Sequence, residues 1–440
     1  MTADKAILKQ YGTKHVSADE AVACVKSGDW IEFGFFANLP LTLDVALAKR
    51  IRDQRLFDIK LRGGVLMQRL QSLESDNAIW YSYHFGGLER ALAKEGKAYH
   101  IPIKYSEVPV YLRENLTTNV VMIQTTPMDE EGYFNFGVTF SHFKAAIEKA
   151  DTVIVEINTN LPKVHGGFDH AVHIDDVHYI VEGGNNPIFE LPSASPSETD
   201  LKIASYVMPE INDGACLQLG IGGLPNALGK LIAKSELKDL SVHSEMLADA
   251  FVDLVEAGKI TGKYKELDNG KIVFTFAAGS QKLYDFMHDN PMLAAYPVDY
   301  VNNVLVTSKI NHFISINGAL EIDLTGQVCS ESMGYKQFTG AGGQLDFVEG
   351  AYLSEGGKTF ICLPATFKNK SGVLHSRINP MLTPGAVVTT PRNAVQYVVT
   401  EYGCINLKGL STRERAEKLA SIAHPDFRDG LKKAAEKMGL

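Results

Sequence analysis

The chain has no CxxC pair. Its five cysteines, Cys24, Cys216, Cys329, Cys362 and Cys404, are scattered and odd in number. That argues against a zinc ribbon or a disulfide framework and fits a reducing compartment. Nowhere do 18 apolar residues run together, and the opening MTADKAILKQYG has no apolar signal core. A soluble, cytoplasmic, unprocessed protein is therefore expected, with no membrane partner. Positive charge is in short supply: 43 Lys and Arg against 52 Asp and Glu leave a net −9. Non-specific nucleic-acid binding needs a dense basic footprint, so that class is excluded. A small anion can still be held by a few lysines and backbone N–H groups. Also missing are a GxSxG elbow, an HExxH helix and a GxGxxG turn, so neither an α/β-hydrolase, a zincin nor a dinucleotide fold is indicated.

What is present is an alternation of β-branched runs with amphipathic stretches over 440 residues. That pattern predicts α/β architecture, with mostly parallel sheets covered by helices. Ser17 and Glu20 have capping-box spacing ahead of a helix that ends by Gly28. Strands are expected over 30–36, 59–61, 120–124 and 152–157, and helices over 41–52 and 143–150. Residues 181–200 are rich in Gly, Pro, Ser and Asn and read as a linker. A second capping box, Ser195 to Glu198 with Pro196 at the first helical position, follows. The expected division is a domain over 1–190 and another over 191–440. In the latter, strands are expected over 216–219, 240–244, 272–276, 304–307, 313–316, 359–363 and 394–399. Helices are expected over 227–234, 247–257 and 413–423.

Three segments carry residues of chemical interest. Gly220, Ile221, Gly222, Gly223 and Leu224 fall between a strand and a helix, which suits an anion-binding turn or simply a tight connection. The cluster Gly340, Ala341, Gly342, Gly343 is either an oxyanion-type turn or a plain loop. His243, Ser244 and Glu245 close a strand just before a helix, where α/β sheets place ligand-binding residues. A helix start would keep Glu245 ionised, either as a nucleophile or as a mere cap. Two decoys stand beside these. His165, His170, His173 and His178 with Asp169, Asp175 and Asp176 resemble a metal cluster, but the spacing matches no known ligand pattern and no metal is expected. Ser141 with His142, or Ser244 with His243, suggests a serine hydrolase, but neighbours in a strand face opposite ways.

Taken together, LQLGIGGLPNAL (217–228), VHSEMLADAFVDLVEAGKITG (242–262) and GQVCSESMGYKQFTGAGGQLDFVEGA (326–351) closely resemble the acetyl-CoA hydrolase/transferase family. TPMDEEGYFNFG (126–137), PVDYVNN (297–303) and TTPRNAVQYVVTEYG (389–403) extend the resemblance along nearly the whole chain. It implies two similar α/β domains with the active site at the domain interface. It implies Glu245 as a covalent nucleophile, Gly220–Leu224 as a coenzyme A (CoA) turn, and Gly342 and Gly343 as oxyanion donors. Leu320 and Lys370 are implied as further CoA contacts.

Within that family the chain resembles butyryl-CoA:acetate and 4-hydroxybutyrate CoA-transferases. The expected reaction is ping-pong transfer of CoA from a short-chain acyl-CoA, foremost butyryl-CoA, to acetate through a glutamyl-CoA thioester. The alternatives are 4-hydroxybutyrate or propionate as the acid, or hydrolysis on the same site. The implied partners are acyl-CoA, short carboxylates and further copies of the chain, with no permanently bound cofactor. The aromatic-rich WYSYHFGGLER (80–90) and YSE (105–107) resemble butyryl-type members, and an apolar pocket separates acids differing by one methylene by only about 1–3 kcal/mol.

Overall fold

A computed structural model describes residues 5–440. The chain gathers into two compact units. One runs to Leu191 and takes in Val273–Val301; the other comprises Pro192–Ile272 and Asn302–Leu440. A single cut after residue 190 does not describe these units, because the segment Val273–Val301 returns to the first.

The first unit is built on seven strands: β1 (Trp30–Phe33), β2 (Ile59–Gly63), β3 (Ala78–Ser82), β4 (Ala98–His100), β5 (Val120–Thr125), β6 (Thr152–Ile157) and β7 (Tyr179–Glu182). They lie in the order β4-β3-β2-β1-β5-β6-β7, all parallel. Every residue of β5 is buried. A parallel strand covered on both faces shows no alternation of apolar and polar residues, which is why VVMIQ reads as one apolar run. Ile31, Phe33, Leu61 and Trp80 from the strands pack with Leu43 and Leu47 of α1 (Leu41–Asp53) in the core. At the entrance to the unit, the Ser17 Oγ accepts the Glu20 N–H while the Glu20 carboxylate accepts the Ser17 N–H at 2.9 Å, so the expected capping box is present. Its helix is a single turn, Ala18–Ala21, that tightens to a 3₁₀ turn over Val22–Cys24.

A fully buried ionic cluster ties this sheet together. Glu32 on β1 accepts from Arg62 Nε of β2 at 2.7 Å and lies 2.9 Å from His142 Nε2. Burial alone would raise the Glu32 carboxyl, but Arg62 and then His142 outweigh it and hold it below its ordinary range. His142 Nδ1 lies 2.9 Å from Ser141 Oγ, which lies 2.5 Å from the Tyr105 hydroxyl. Ser141 and His142 thus do meet, contrary to expectation. They are not in a strand: Ser141 has φ of 41°, and the turn it makes folds the two side chains together.

In the second unit, six strands lie side by side: β8 (Cys216–Leu219), β9 (Ser241–His243), β10 (Phe313–Gly318), β11 (Lys358–Cys362), β12 (Tyr397–Thr400) and β13 (Gly403–Asn406). Their order is β9-β8-β10-β11-β12-β13, parallel except for the last pair. The unit's leading helix is Glu198–Val207, and its cap is Ser197 rather than Ser195. The Ser197 side chain takes the Asp200 N–H and Asp200 returns the bond, so the box sits two residues later than the proline suggested. The run Val304–Thr307, expected as a strand, is one helical turn. Asn303 caps it through the Leu305 N–H at 2.8 Å, and a run of only four residues carries no period that distinguishes the two states. Among the described residues no helix is long and apolar enough to cross a membrane.

In each sheet the chain builds outward from a central strand in one direction and then in the other. The switch falls between β1 and β5 in the first unit and between β8 and β10 in the second. Crevices beyond the carboxyl ends of strands at such switch points are where open α/β sheets take ligands.

Candidate active site

The switch point of the second unit opens into a cleft of about 280 Å³. Gly220, Ile221, Gly223 and Leu224, which follow β8, line one side; Gly318, the last residue of β10, and Ala319 after it line another, and Pro364 after β11 a third. Gly222 caps the helix α1′ that follows, Gly223–Lys234, with φ of 110°, a conformation open to glycine and strained for any other residue. That helix starts four residues earlier than expected, so the glycine turn delivers the chain straight into it. Four of the five turn residues therefore line the cleft, and Gly222 makes the bend between them.

Glu245 stands two residues beyond β9, next in the sheet to β8. The preceding Ser244 is fully buried, and its Oγ donates to the Leu219 carbonyl at 3.0 Å. Leu219 is the last residue before the glycine turn, so this one bond fixes the strand end that bears Glu245 to the start of the turn. Glu245 Oε2 accepts from Asn302 Nδ2 at 2.8 Å, and the Glu245 carboxylate also accepts from the backbone N–H of Gly343. Gly343 is the cap residue of the helix Gln344–Leu353. A Cβ on Gly343 would lie 2.2 Å from Glu245 Oε2 and 2.1 Å from Asn302 Nδ2. Only glycine lets the backbone approach the carboxylate this closely. Gly342, with φ of 54°, turns the chain into position just before it.

The electrostatics of Glu245 differ from the sequence expectation. No helix begins beside it: the strand Met246–Leu247 intervenes and the helix Asp249–Glu256 starts four residues on. The helix that follows Glu245 in sequence is therefore not the one that favours the anion; the helix end that meets it is the one Gly343 caps. Desolvation, then the charge of the buried Asp346, push its pKa up to about 7 from an ordinary 4.5; the Asn302 and Gly343 hydrogen bonds pull the other way. The result is a carboxylate more basic than usual, with two N–H donors on it.

Asn302 was not singled out by sequence reasoning; its only trace there is the family-like PVDYVNN stretch. It is fully buried, and its Oδ1 has no hydrogen-bond partner. Leu320 follows the cleft-lining Ala319; its N–H donates to the Cys329 carbonyl at 2.9 Å. Lys370 is exposed, at the tip of a hairpin formed by Thr366–Lys368 and Leu374–Ser376. The structure thus brings the glycine turn, Ser244, Glu245, Asn302 and Gly343 into one neighbourhood of the second unit, with Leu320 at its edge and Lys370 further out on the hairpin.

The histidine-rich segment belongs to the first unit. His165, His170 and His173 line a cavity of about 430 Å³. Their ring nitrogens go to separate acids: His165 Nε2 lies 2.9 Å from Asp289, and His173 Nδ1 lies 3.1 Å from Asp175. Among the described residues no group of three His, Cys, Asp or Glu side chains is arranged to hold a metal ion.

Comparison with known proteins points the same way as this geometry. The acetyl-CoA hydrolase/transferase N-terminal domain matches residues 2–191, and the C-terminal domain of the same family matches residues 279–435. The chain is 52% identical to a butyryl-CoA:acetate CoA-transferase of Anaerostipes caccae, over 98% of this chain and 97% of that protein. It is 48% identical to a probable butyrate:acetyl-CoA coenzyme A-transferase of Syntrophomonas wolfei, over 99% and 97%. The crystal structure of RipA from Yersinia pestis matches it with a TM-score of 0.91 at 37% identity, covering 98% of this chain and 99% of RipA. A glycine turn on a cleft, a raised carboxylate and a two-domain match of this extent are consistent with one lineage: the chain belongs to the acetyl-CoA hydrolase/transferase family.

Proposed function

We propose that the protein transfers CoA from a short-chain acyl-CoA, foremost butyryl-CoA, to acetate, with Glu245 as the covalent carrier. The observation that carries this reading is the pair of N–H donors, from Asn302 and Gly343, on the Glu245 carboxylate. The identity to a butyryl-CoA:acetate CoA-transferase supports the choice of substrates.

The chemistry follows from which oxygen is held. With Oε2 engaged, Oε1 is the oxygen available to attack the thioester carbonyl. Its lone pair forms a bond to the acyl carbon, the C–S bond breaks, and CoA leaves as the thiolate, giving an acyl-glutamyl anhydride. The thiolate then attacks the Glu245 carboxyl carbon. Negative charge develops on Oε2, the atom that Asn302 already holds, beside the Gly343 N–H that bonds the same carboxylate. Collapse expels the first acid with Oε1 and leaves the glutamyl-CoA thioester. Acetate reverses both steps. Donors fixed in advance where charge develops are worth about 3–4 kcal/mol of barrier each. A carboxylate whose pKa is raised is also a better nucleophile than an ordinary one, while enough of it is ionised near neutral pH to react. Walls of the cleft, including the Gly220–Leu224 turn, would hold the CoA chain, and binding of its remote nucleotide can help position the thioester.

The direct test is incubation with butyryl-CoA without acceptor acid, followed by digestion and mass spectrometry. A CoA adduct on the peptide containing Glu245, absent from Glu245→Ala and discharged by acetate, is the expected result. Steady hydrolysis without an adduct would favour the hydrolase reading. Neither adduct nor turnover with any of a panel of short acyl-CoAs would refute the assignment.

A further inference from the structure

The hairpin formed by Thr366–Lys368 and Leu374–Ser376 carries an unusual concentration of unpaired positive charge for a chain with a net −9. Lys368 and Lys370 are exposed, and neither makes an ion pair among the described residues. Arg377 follows the second strand of the hairpin and has no ion pair either. It is the best placed of the three. Its backbone N–H donates to the Ala365 carbonyl at 2.9 Å, and its Nη1 donates to the Leu320 carbonyl at 2.7 Å. Ala365 and Leu320 are the residues immediately after Pro364 and Ala319, which line the 280 Å³ cleft. Arg377 therefore fastens the root of the hairpin to two walls of that cleft.

The guanidinium is incompletely satisfied. Its plane lies over the Phe367 ring, 4.9 Å from the centroid, which fixes its orientation. Its Nε is buried and has no hydrogen-bond partner. The nearest acid, Glu321, is committed elsewhere: its carboxylate accepts from Asn379 Nδ2 at 2.7 Å and from the Thr383 N–H and hydroxyl at 3.1 and 2.9 Å. Burial accordingly lowers the Arg377 pKa, with Glu321 only partly offsetting it. A buried guanidinium donor with no acceptor is costly to keep, and a carboxylate is its usual partner within a protein. The planar fork of arginine is also suited to phosphate oxygens, which it binds with paired, charge-assisted hydrogen bonds.

We infer that Arg377 is a phosphate-binding residue at the rim of the cleft, recognising the phosphates of the CoA nucleotide, with Lys368 and Lys370 of the hairpin adding charge around it. The inference rests on the proposed use of acyl-CoA, and it assigns the end of the molecule remote from the reacting thioester. Arg377 takes no part in bond making; it acts on binding. Because its Nη1 also holds Leu320, its removal has a structural side as well, and the test must separate the two.

Calorimetric titration of the protein with CoA and with pantetheine, which lacks every phosphate, does so. The unmodified protein is expected to bind CoA much more tightly than pantetheine. Arg377→Met should weaken CoA binding roughly tenfold or more, the scale of a charge-assisted hydrogen bond, and leave pantetheine binding unchanged within about twofold. Arg377→Lys retains the charge without the fork and should fall between, which keeps the test available if the Met variant does not fold. Equal weakening of both ligands would make Arg377 a purely structural tie and overturn the inference. So would unchanged CoA binding in either folded variant, or an unmodified protein that binds CoA no better than pantetheine. Tight, Arg377-dependent binding of CoA by a protein that forms no Glu245 adduct would sink the transferase reading while leaving this one standing.

Discussion

Replacing Glu245 by Gln should make the fold more stable at alkaline pH, and the size of the gain can be worked from the site. The folded-state pKa of Glu245 is raised to about 7 from an ordinary 4.5. The native state therefore binds this proton more tightly than the unfolded chain does. Below the unfolded value both states are protonated and the side chain is nearly neutral to stability. As pH rises from about 4.5 to about 7, ionisation costs the folded state progressively more, and above that the cost is constant. At about 1.36 kcal/mol per pH unit the full cost is on the order of 3 kcal/mol. Gln has the same shape, keeps a carbonyl oxygen for Asn302 and Gly343, and does not ionise. The assay is urea unfolding of both proteins at about pH 5 and about pH 8.5, followed by circular dichroism and by fluorescence. Both tryptophans, Trp30 and Trp80, lie in the first unit, whereas Glu245 lies in the second. A shift confined to circular dichroism would locate the effect in the second unit. The variant should be more stable at pH 8.5 by on the order of 3 kcal/mol, and the difference should nearly vanish at pH 5. An equal difference at both pH values would refute the reasoning, as would a Gln variant that is less stable at pH 8.5.

Other perturbations follow from the same coordinates. The rate of adduct formation from butyryl-CoA should rise with pH to a plateau, with its midpoint near 7, because only ionised Glu245 attacks; a profile already flat from about pH 5.5 upward would contradict this. Asn302→Ala removes one of the two donors on the Glu245 carboxylate and should slow adduct formation by about 10²–10³-fold with little change in KM. In single-turnover experiments Gly343→Ala should do at least as much damage, since its methyl group would lie 2.2 Å from the carboxylate oxygen. In the first unit, Arg62→Met strands the buried Glu32 carboxylate and should destabilise that unit by about 3–5 kcal/mol, read as a shift in the fluorescence-detected urea transition.

The parts of the fold legible in the sequence are those where local signals and burial agree. Parallel strands buried on both faces, such as Val120–Thr125 and Cys216–Leu219, stand out as apolar runs bounded by polar turns. Legibility fails where a short segment has no period of its own. Residues 304–307, Val-Leu-Val-Thr, are mostly β-branched and still make a helical turn, because Asn303 caps them. Prolines mislead in the same way: Pro196 suggested a cap at Ser195, but the reciprocal bonds form between Ser197 and Asp200. Nor does any local feature between residues 190 and 440 announce that Val273–Val301 leaves the unit on either side of it to join the first. Membership of a core is set by contacts distant in sequence.

The site divides along the same line. The glycine turn and the strand that bears Glu245 are local features, each placed by a strand end, and sequence reading reaches them. The environment of Glu245 is assembled from three separated stretches, and there sequence reading gave the wrong sign. A helix start two residues away would have lowered the pKa of the carboxyl; burial beside Asp346, a hundred residues on, raises it. The difference bears on chemistry. A carboxylate stabilised by a helix dipole is a poorer nucleophile and a more contented anion. One raised towards neutrality is held at a cost in stability, and formation of the proposed neutral anhydride or thioester would relieve that cost. Asn302 and Gly343 then have a second use, because their N–H groups remain at the Glu245 carboxyl after the carboxylate charge has gone and are in place when charge returns to it in the tetrahedral intermediates formed by attack on the Glu245 carboxyl carbon. The basicity of the nucleophile and the placement of the donors are thus two consequences of a single arrangement, which no one segment of the sequence encodes.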